Sequence, residues 1–361
     1  MWVDALALQS VITGELARRR AEVVAIDPRL AELTDLLVDF VSGGGKRLRP
    51  EFLWCGWTAA GPADPAKDGG VVQVGAALEL IQACALVHDD VIDRSDSRRG
   101  RPATHKAVAK GHADAGLAGD AEHYGVSAAV LLGDLALAWA DDLFTAGAAA
   151  LGAIEKALPV WRAMRTEVLA GQLLDLVATA AVGSDPAAQA ADAMRVNRFK
   201  TAAYTVERPL QLGAALAGAG PATITALRSY GTDVGIAFQL RDDLLGVFGD
   251  PSVTGKPAGD DLLEGKRTLL LATARAALVD DPARLAELDA GIGTAGADSG
   301  RLAAIIAGTG APEQQERRIS ELVQSGIAAL DGVDAAGRPL VGAAARARLV
   351  ELAHAATART R

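Results

Sequence analysis

Residues 71–93 read VVQVGAALELIQACALVHDDVID, and the way this stretch folds decides the architecture. The run from Ile81 to His88 carries no charge and ends at paired aspartates. On a helix, residues i, i+4 and i+7 share a face. That spacing predicts a helix over Val71–Ile92 on which Gln82, Asp89, Asp93 and Asp96 form one stripe. Ala85 and Ile81 fall one and two turns below Asp89 on nearly the same line. Whatever binds at the aspartates therefore looks down on small and apolar side chains. His88 points away from the stripe, which predicts a packed or hydrogen-bonded histidine rather than a catalytic one.

The remainder of the chain fits packed helices. Half of its 361 residues are hydrophobic, Ala and Leu dominate, aromatics make up only 4%, and β-branched runs are few. None of the loop signals has the length or composition of a domain linker. The expectation is one all-α domain over residues 1–361, a single large helical bundle around a central apolar cavity. A formal charge of −9 argues against a nucleic-acid partner, since phosphate backbones need a basic face. Cys55 and Cys84 form no CxxC pattern, so neither a disulfide framework nor a zinc site is expected, and a reducing cytoplasm fits. The first twenty residues place apolar residues ahead of the arginines, the reverse of a secretory signal. The longest uncharged window, Pro209 to Leu227, contains Pro221 and glycines and reads as helix, turn and helix rather than a membrane span.

A second aspartate segment, FQLRDD at 238–243, ends another apolar stretch. It predicts a helix from about Thr232 to Leu245, ended by Gly246 and Gly249, with Gln239 within reach of Asp242 and Asp243. Asp-Asp pairs also occur at 141/142, 260/261 and 280/281, so a lone pair says little. The first segment stands out because Arg98-Arg99-Gly100-Arg101-Pro102 follows it directly. Asp89 and Asp93, at i and i+4, suit Mg²⁺ ions that keep several waters and take further oxygens from a substrate phosphate. The plain alternative is a solvated helix end whose acids cluster. Lys200 and Tyr204 share a face of a helix between the two segments. GGGKRLRP at 43–50 is a glycine-rich approach to a helix carrying Lys46 and Arg49, and suits an anion. It lacks the Ser or Thr after Lys and the preceding strand of a P-loop.

Taken together, GGGKRLRP, HDDVIDRSDSRRGRP, GQLLDL, KTAAYTVERP, FQLRDD and GKPAGDDLLEGKRT resemble, in order and approximate spacing, the all-trans isoprenyl diphosphate synthases, most closely bacterial geranylgeranyl diphosphate synthases. The resemblance implies a prenyltransferase that joins isopentenyl diphosphate to allylic diphosphates. Its cofactor would be Mg²⁺, three ions, with Mn²⁺ as an alternative, and it would work as a homodimer. It implies Asp89, Asp93 and Asp242 as metal ligands, with Asp90 and Asp243 in support. Arg98 and Lys200 would grip the allylic diphosphate, with Lys256 and Lys266 closing over it. Lys46, Arg49, Gln82 and Arg99 match the isopentenyl diphosphate site, and Thr201, Gln172 and Gln239 match residues that position the allylic end. The departing pyrophosphate would take the proton, so no side-chain base is required.

One position departs from the pattern. The second motif of the family is usually DDxxD, and its fifth position here is Gly246. Asp250, Asp260 or Asp261 would have to reach the third metal, or a water replace the lost ligand. Otherwise the chain works below the family norm or as a subunit needing a partner. Product length in the family is set one turn below the first aspartates, where this chain has the small Cys84 and Ala85. The next turn offers Ile81, Leu80 and Leu78, and at ~1.5 Å rise per residue one further turn admits about one more isoprene unit. That implies a twenty-carbon product, geranylgeranyl diphosphate, with longer polyprenyl or farnesyl products as alternatives. A class I terpene cyclase would share the fold and DDxxD, but GGGKRLRP and Arg98-Arg99 count against it, as does the low aromatic content. A non-catalytic subunit of a heteromeric synthase would be expected to lose acids or cations that this chain keeps.

Overall fold

The computed structural model describes residues 5–61, 65–98, 100–181, 185–250 and 258–357. Arg99 and Lys256, both expected at the site, lie outside them. The described helices are α1 (Ala5–Ile26), α2 (Ala31–Ser42), α3 (Leu48–Ala59), α4 (Asp68–Ile92), α5 (Thr104–Asp114), α6 (Ala121–Ala150), α7 (Ile154–Ala180), α8 (Pro186–Val196), α9 (Arg208–Leu216), α10 (Pro221–Phe248), α11 (Asp260–Leu263), α12 (Leu269–Ala277), α13 (Pro282–Gly291), α14 (Ser299–Ala307), α15 (Ala311–Ala329) and α16 (Ala343–Thr357). Several begin where a side-chain oxygen can accept an otherwise unpaired backbone N–H. Asp120 does this for α6, Asp185 for α8, ahead of Pro186, and Thr268 for α12. The all-α expectation holds apart from one small hairpin, β1 (Ser97–Arg98) paired with β2 (Arg101–Pro102), directly after the first aspartates.

Two details of the helix readings change. Helix α10 starts at Pro221, runs through Gly246 and stops only at Phe248. Asp96 lies beyond the end of α4, its side chain 89% exposed and 3.5 Å from Lys106, so it leaves the predicted stripe.

The apolar interior falls into two clusters. One gathers α1, α2, α4, α6 and α7 around Leu16, Leu37, Leu78, Phe144 and Trp161. The other gathers α10, α12, α15 and α16 around Tyr230, Leu240, Leu270 and Leu349. Helices α3 and α9 serve both, since Phe52 and Leu210 face one cluster while Leu53 and Leu212 face the other. In α4 the composition and length would suit a membrane span, yet most of the apolar stretch is buried inside the protein, as in the core helix of a globular fold.

Helices α4 and α6 run antiparallel, with Gly147 against Gly70 near one end and Gly133 against His88 near the other. Between α8 and α9 the chain takes a π-helical path, Asn197–Glu207, in which each turn is closed i to i+5. This wide segment is gripped on two sides by glycines. A Cβ at Gly171 of α7 would come within 2.3 Å of the Lys200 nitrogen, and one at Gly235 of α10 within 2.7 Å of the Ala202 Cα. Only bare backbone at these positions lets both helices press against the segment that carries Lys200.

Candidate active site

A cavity of about 1010 Å³ opens between the walls formed by α4, α7, the π-helical segment and α10. Asp89, Asp93, Arg98, Lys200, Thr201, Gln239, Asp242, Asp243 and Lys266 all line it. So do Lys46, Arg49, Gln82 and Gln172, together with Ile81, Cys84 and Ala85 below the aspartates. Sequence elements more than 200 residues apart thus meet on one surface. Leu78 and Leu80 do not line it. They are packed into the core on other faces of α4, so of the second-turn residues only Ile81 faces the cavity. His88 is anchored, with Nε2 3.0 Å from the Val130 carbonyl oxygen and the ring filling the space left by Gly133, yet its side also borders the cavity.

At the first motif, acids and cations neutralise one another. Arg98 donates to Asp90 at 2.7 Å and to Asp89 at 3.1 Å. Lys200 lies 3.2 Å from Asp89 and 2.6 Å from Asp175 of α7. Burial works to raise the Asp89 carboxyl, but Lys200 and Arg98 outweigh it and hold the group below the usual carboxylate range. Asp93 lacks such close cations, and burial plus the charge of Asp89 push it up to about 6. Asp90 is not on the cavity wall. It is completely buried behind Asp89, where it fixes Arg98 from the rear. Its place is that of a positioning residue.

The second motif is built from two segments. Gln239 donates to Asp243 at 2.8 Å, and Asp243 is so deeply buried that its carboxyl is pushed up to about 7. Opposite them, Asp261 of α11 leans over Gly246. A Cβ there would lie 1.9 Å from the Asp261 Oδ2. Lys266 donates to Asp261 at 2.8 Å and stands 2.8 Å from Glu264. Although burial opposes its charge, those two acids hold its ammonium well above the ordinary range. Of the three candidates for the missing fifth position, only Asp261 lines the cavity. The field of Lys266 also reaches Asp89 and Asp93, so the two walls are within electrostatic range of each other.

The glycine-rich turn reaches the cavity from a third side. Gly44 and Gly45 take positive φ, and Arg47, also left-handed at φ 49°, opens α3. Arg47 is tied to the buried Glu79 and donates to the Val41 carbonyl at 3.0 Å. This frees the turn to present Lys46 and Arg49. Arg49 is only 8% exposed, donates to Thr205 at 2.8 Å and lies 4.1 Å over the Tyr204 ring. A buried guanidinium held by a ring and one hydroxyl keeps donors for an anion. Asp175, Arg47 and Asp261 were the partners that periodicity did not single out, because each acts across an interface between elements.

On the cavity wall, Asp89 Oδ1 and Asp243 Oδ2 are buried without a hydrogen-bond partner. Such atoms are costly unless a cation satisfies them. Among the described residues no three acidic, His or Cys side chains already converge as a closed metal cage. That donor set fits Mg²⁺, which binds through one or two carboxylates and completes its shell with water and phosphate oxygens.

An all-α bundle whose apolar shaft is crowned by carboxylates on facing walls and by arginine and lysine between them is a prenyltransferase of the isoprenyl diphosphate synthase type. The chain belongs to the polyprenyl synthetase family, whose model matches residues 30–307. A geranylgeranyl pyrophosphate synthase from Corynebacterium glutamicum, solved with isoprenyl diphosphate and magnesium, is 44% identical, with a TM-score of 0.88 over 98% of this chain and 99% of that one. The geranylfarnesyl diphosphate synthase of Aeropyrum pernix is 33% identical over 317 residues, 86% of this chain and 91% of the relative. The geranylgeranyl diphosphate synthase of Mycobacterium tuberculosis is 33% identical over 293 residues, 79% of this chain and 75% of the relative.

Proposed function

We propose that this chain elongates allylic diphosphates with isopentenyl diphosphate to geranylgeranyl diphosphate, as one catalytic domain with Mg²⁺, three ions, as cofactor. The observation that carries this reading is the meeting of Asp89, Asp93, Asp242 and Asp243 on one cavity above the small Cys84 and Ala85. Asp89 and Asp93 on one wall, and Asp242, Asp243 and Asp261 on the other, would hold the metal. When bound, the metal supplies Lewis-acid charge to the leaving diphosphate. The magnesium and isoprenyl diphosphate in the Corynebacterium relative support this.

The residues themselves do the rest. Arg98, Lys200 and Lys266 exchange carboxylate partners for diphosphate oxygens, stabilising charge that grows as the allylic bond breaks. Lys46, Arg49 and Gln82 hold isopentenyl diphosphate, and Thr201, Gln172 and Gln239 orient the allylic end. Ile81, Cys84 and Ala85 line the shaft into which the hydrocarbon grows, excluding water from the cation. Asp261 stands in for the acid missing at Gly246, which argues against an inactive subunit. The chain would work as a soluble, cytoplasmic homodimer; the exposed Leu131 of α6 and Val177 of α7, which lie outside the cavity lining, offer apolar surface to a second copy.

The test is incubation with isopentenyl diphosphate, Mg²⁺ and dimethylallyl, geranyl or farnesyl diphosphate in turn, followed by chromatography of the dephosphorylated alcohols. A twenty-carbon alcohol is expected. A longer alcohol would overturn the product length, and no elongation with any primer would overturn the catalytic reading.

A further inference from the structure

The far end of the cavity lies between α4 and α7. On α4 the lining residue farthest from Asp89 is Ile81, eight residues back and so ~12 Å below it at the helical rise. On α7, Asp175 stands level with Asp89 because Lys200 bridges them. The farthest lining residue on α7 is Arg165, ten residues back, ~15 Å below the mouth. The shaft therefore ends ~3 Å, or about half a turn, beneath Ile81 on a cation.

Arg165 is fixed in place. Its guanidinium is ion-paired with Asp141 of α6, whose Oδ1 also accepts the Trp161 indole N–H at 2.7 Å. Trp161 is 1% exposed and stacks flat on Phe144, with ring centroids 4.5 Å apart. The Arg165 Nε is buried without a hydrogen-bond partner. The pair is half-buried, with side-chain exposures of 27% and 38%, so it retains part of its hydration at the foot of an otherwise apolar passage.

We propose that the Asp141–Arg165 pair is the floor that stops chain growth in this protein. A hydrocarbon end that advanced past Ile81 would have to strip water from the guanidinium or break the pair, and uncompensated burial of either charge is strongly unfavourable. Ile81, Cys84 and Ala85 leave the shaft open, and the ion pair closes it. Trp161 acts through Asp141 as a positioning residue. The inference rests on the prenyl-elongation reading above and refines which residue decides its product.

The experiment compares the product-length distribution, a ratio independent of specific activity, for the parent, Arg165→Leu and Arg165→Lys, each with farnesyl and isopentenyl diphosphates and Mg²⁺. Arg165→Leu is expected to raise the share of products longer than the parent's by roughly tenfold, the scale on which apolar pockets discriminate small differences in chain size. Arg165→Lys, which keeps the charge, is expected to retain the parent's distribution. If Arg165→Leu fails to fold by thermal melt, Arg165→Gln, which keeps an N–H toward Asp141 without the charge, reads the same effect. An unchanged distribution in a folded, uncharged variant overturns the floor while leaving the elongation reading intact. A parent that makes a product longer than twenty carbons, and lengthens it further on loss of Arg165, overturns the product length and supports the floor. A parent that elongates nothing overturns both.

Discussion

The two acidic walls of the cavity are made differently. The first is a single helix end, where Asp89 and Asp93 sit one turn apart on α4 and Asp90 clamps Arg98 from behind. The second is composite, because α10 supplies Asp242 and Asp243, whereas the third acid arrives from α11 across the bare Cα of Gly246. A wall built from one helix inherits its geometry from the backbone. A wall built from two segments depends on how the second segment is held, here by Lys266 between Asp261 and Glu264. The same chemistry should therefore respond differently to substitution on each side.

The largest effect is expected on the first wall. Asp89→Asn removes a carboxylate that faces the cavity and should lower kcat/KM for elongation by about 10³-fold, a loss typical of a group that stabilises transition-state charge directly. Its melting temperature should stay near the parent's, and a much smaller rate loss would show that the first wall is not the principal one. On the second wall, Gly246→Asp restores the usual family pattern yet places a side chain where Asp261 already stands. Displacing Asp261 should cost roughly 10–100-fold in activity, the range for disturbing groups that orient a metal site. Adding Asp261→Ala to Gly246→Asp should recover part of it, and a single variant as active as the parent would show that the wall is not composite.

Between the walls, Ala85→Phe should narrow the shaft and shift the product to fifteen carbons or fewer, read by chromatography of the alcohols. An unchanged product would place the constriction elsewhere. The smallest effect concerns stability in the presence of a chelator. Folding raises the Asp243 carboxyl from 3.8 to about 7, so the folded chain binds that proton more tightly than the unfolded chain does. The resulting penalty is absent below pH 3.8 and complete above pH 7. Asp243→Asn should therefore melt a few degrees higher than the parent at pH 8, at ~1.4 kcal/mol per pKa unit less what local relaxation returns. The gain should vanish as pH falls toward 4, and equal melting temperatures at pH 8 would remove the buried-charge account of the second wall.

How much of this was legible in the sequence follows the same divide. Periodicity placed Asp89, Asp93, Gln82, Ala85 and Ile81 correctly because all lie on one helix, and a helix converts spacing into direction. It could not show that Leu78 and Leu80 turn into the core, since that depends on which neighbour covers each face. Gly246 read as a helix end because glycine disfavours helices locally; in the fold α10 continues through it, and the missing side chain makes room for Asp261. The choice among Asp250, Asp260 and Asp261 depended on the path from α10 to α11, which no local pattern records. The pair at 141/142 looked like background acidity, and only the antiparallel packing of α6 and α7 brings Asp141 to Arg165, 24 residues away. The π-helical turns around Lys200 gave no signal either, as the close packing against them depends on glycines of two other helices.

The apolar character of α4 has a consequence during synthesis. Its principal cover is α6, and translation must continue for about sixty residues after Ile92 before Ala150 is joined. At ~5–20 residues per second that is several seconds in which a helix apolar enough to suit a lipid bilayer stands outside the ribosome without its lid. The stripe that faces the cavity in the folded protein thus belongs to the one helix, among the described residues, apolar enough to suit a bilayer, and it must wait for its cover.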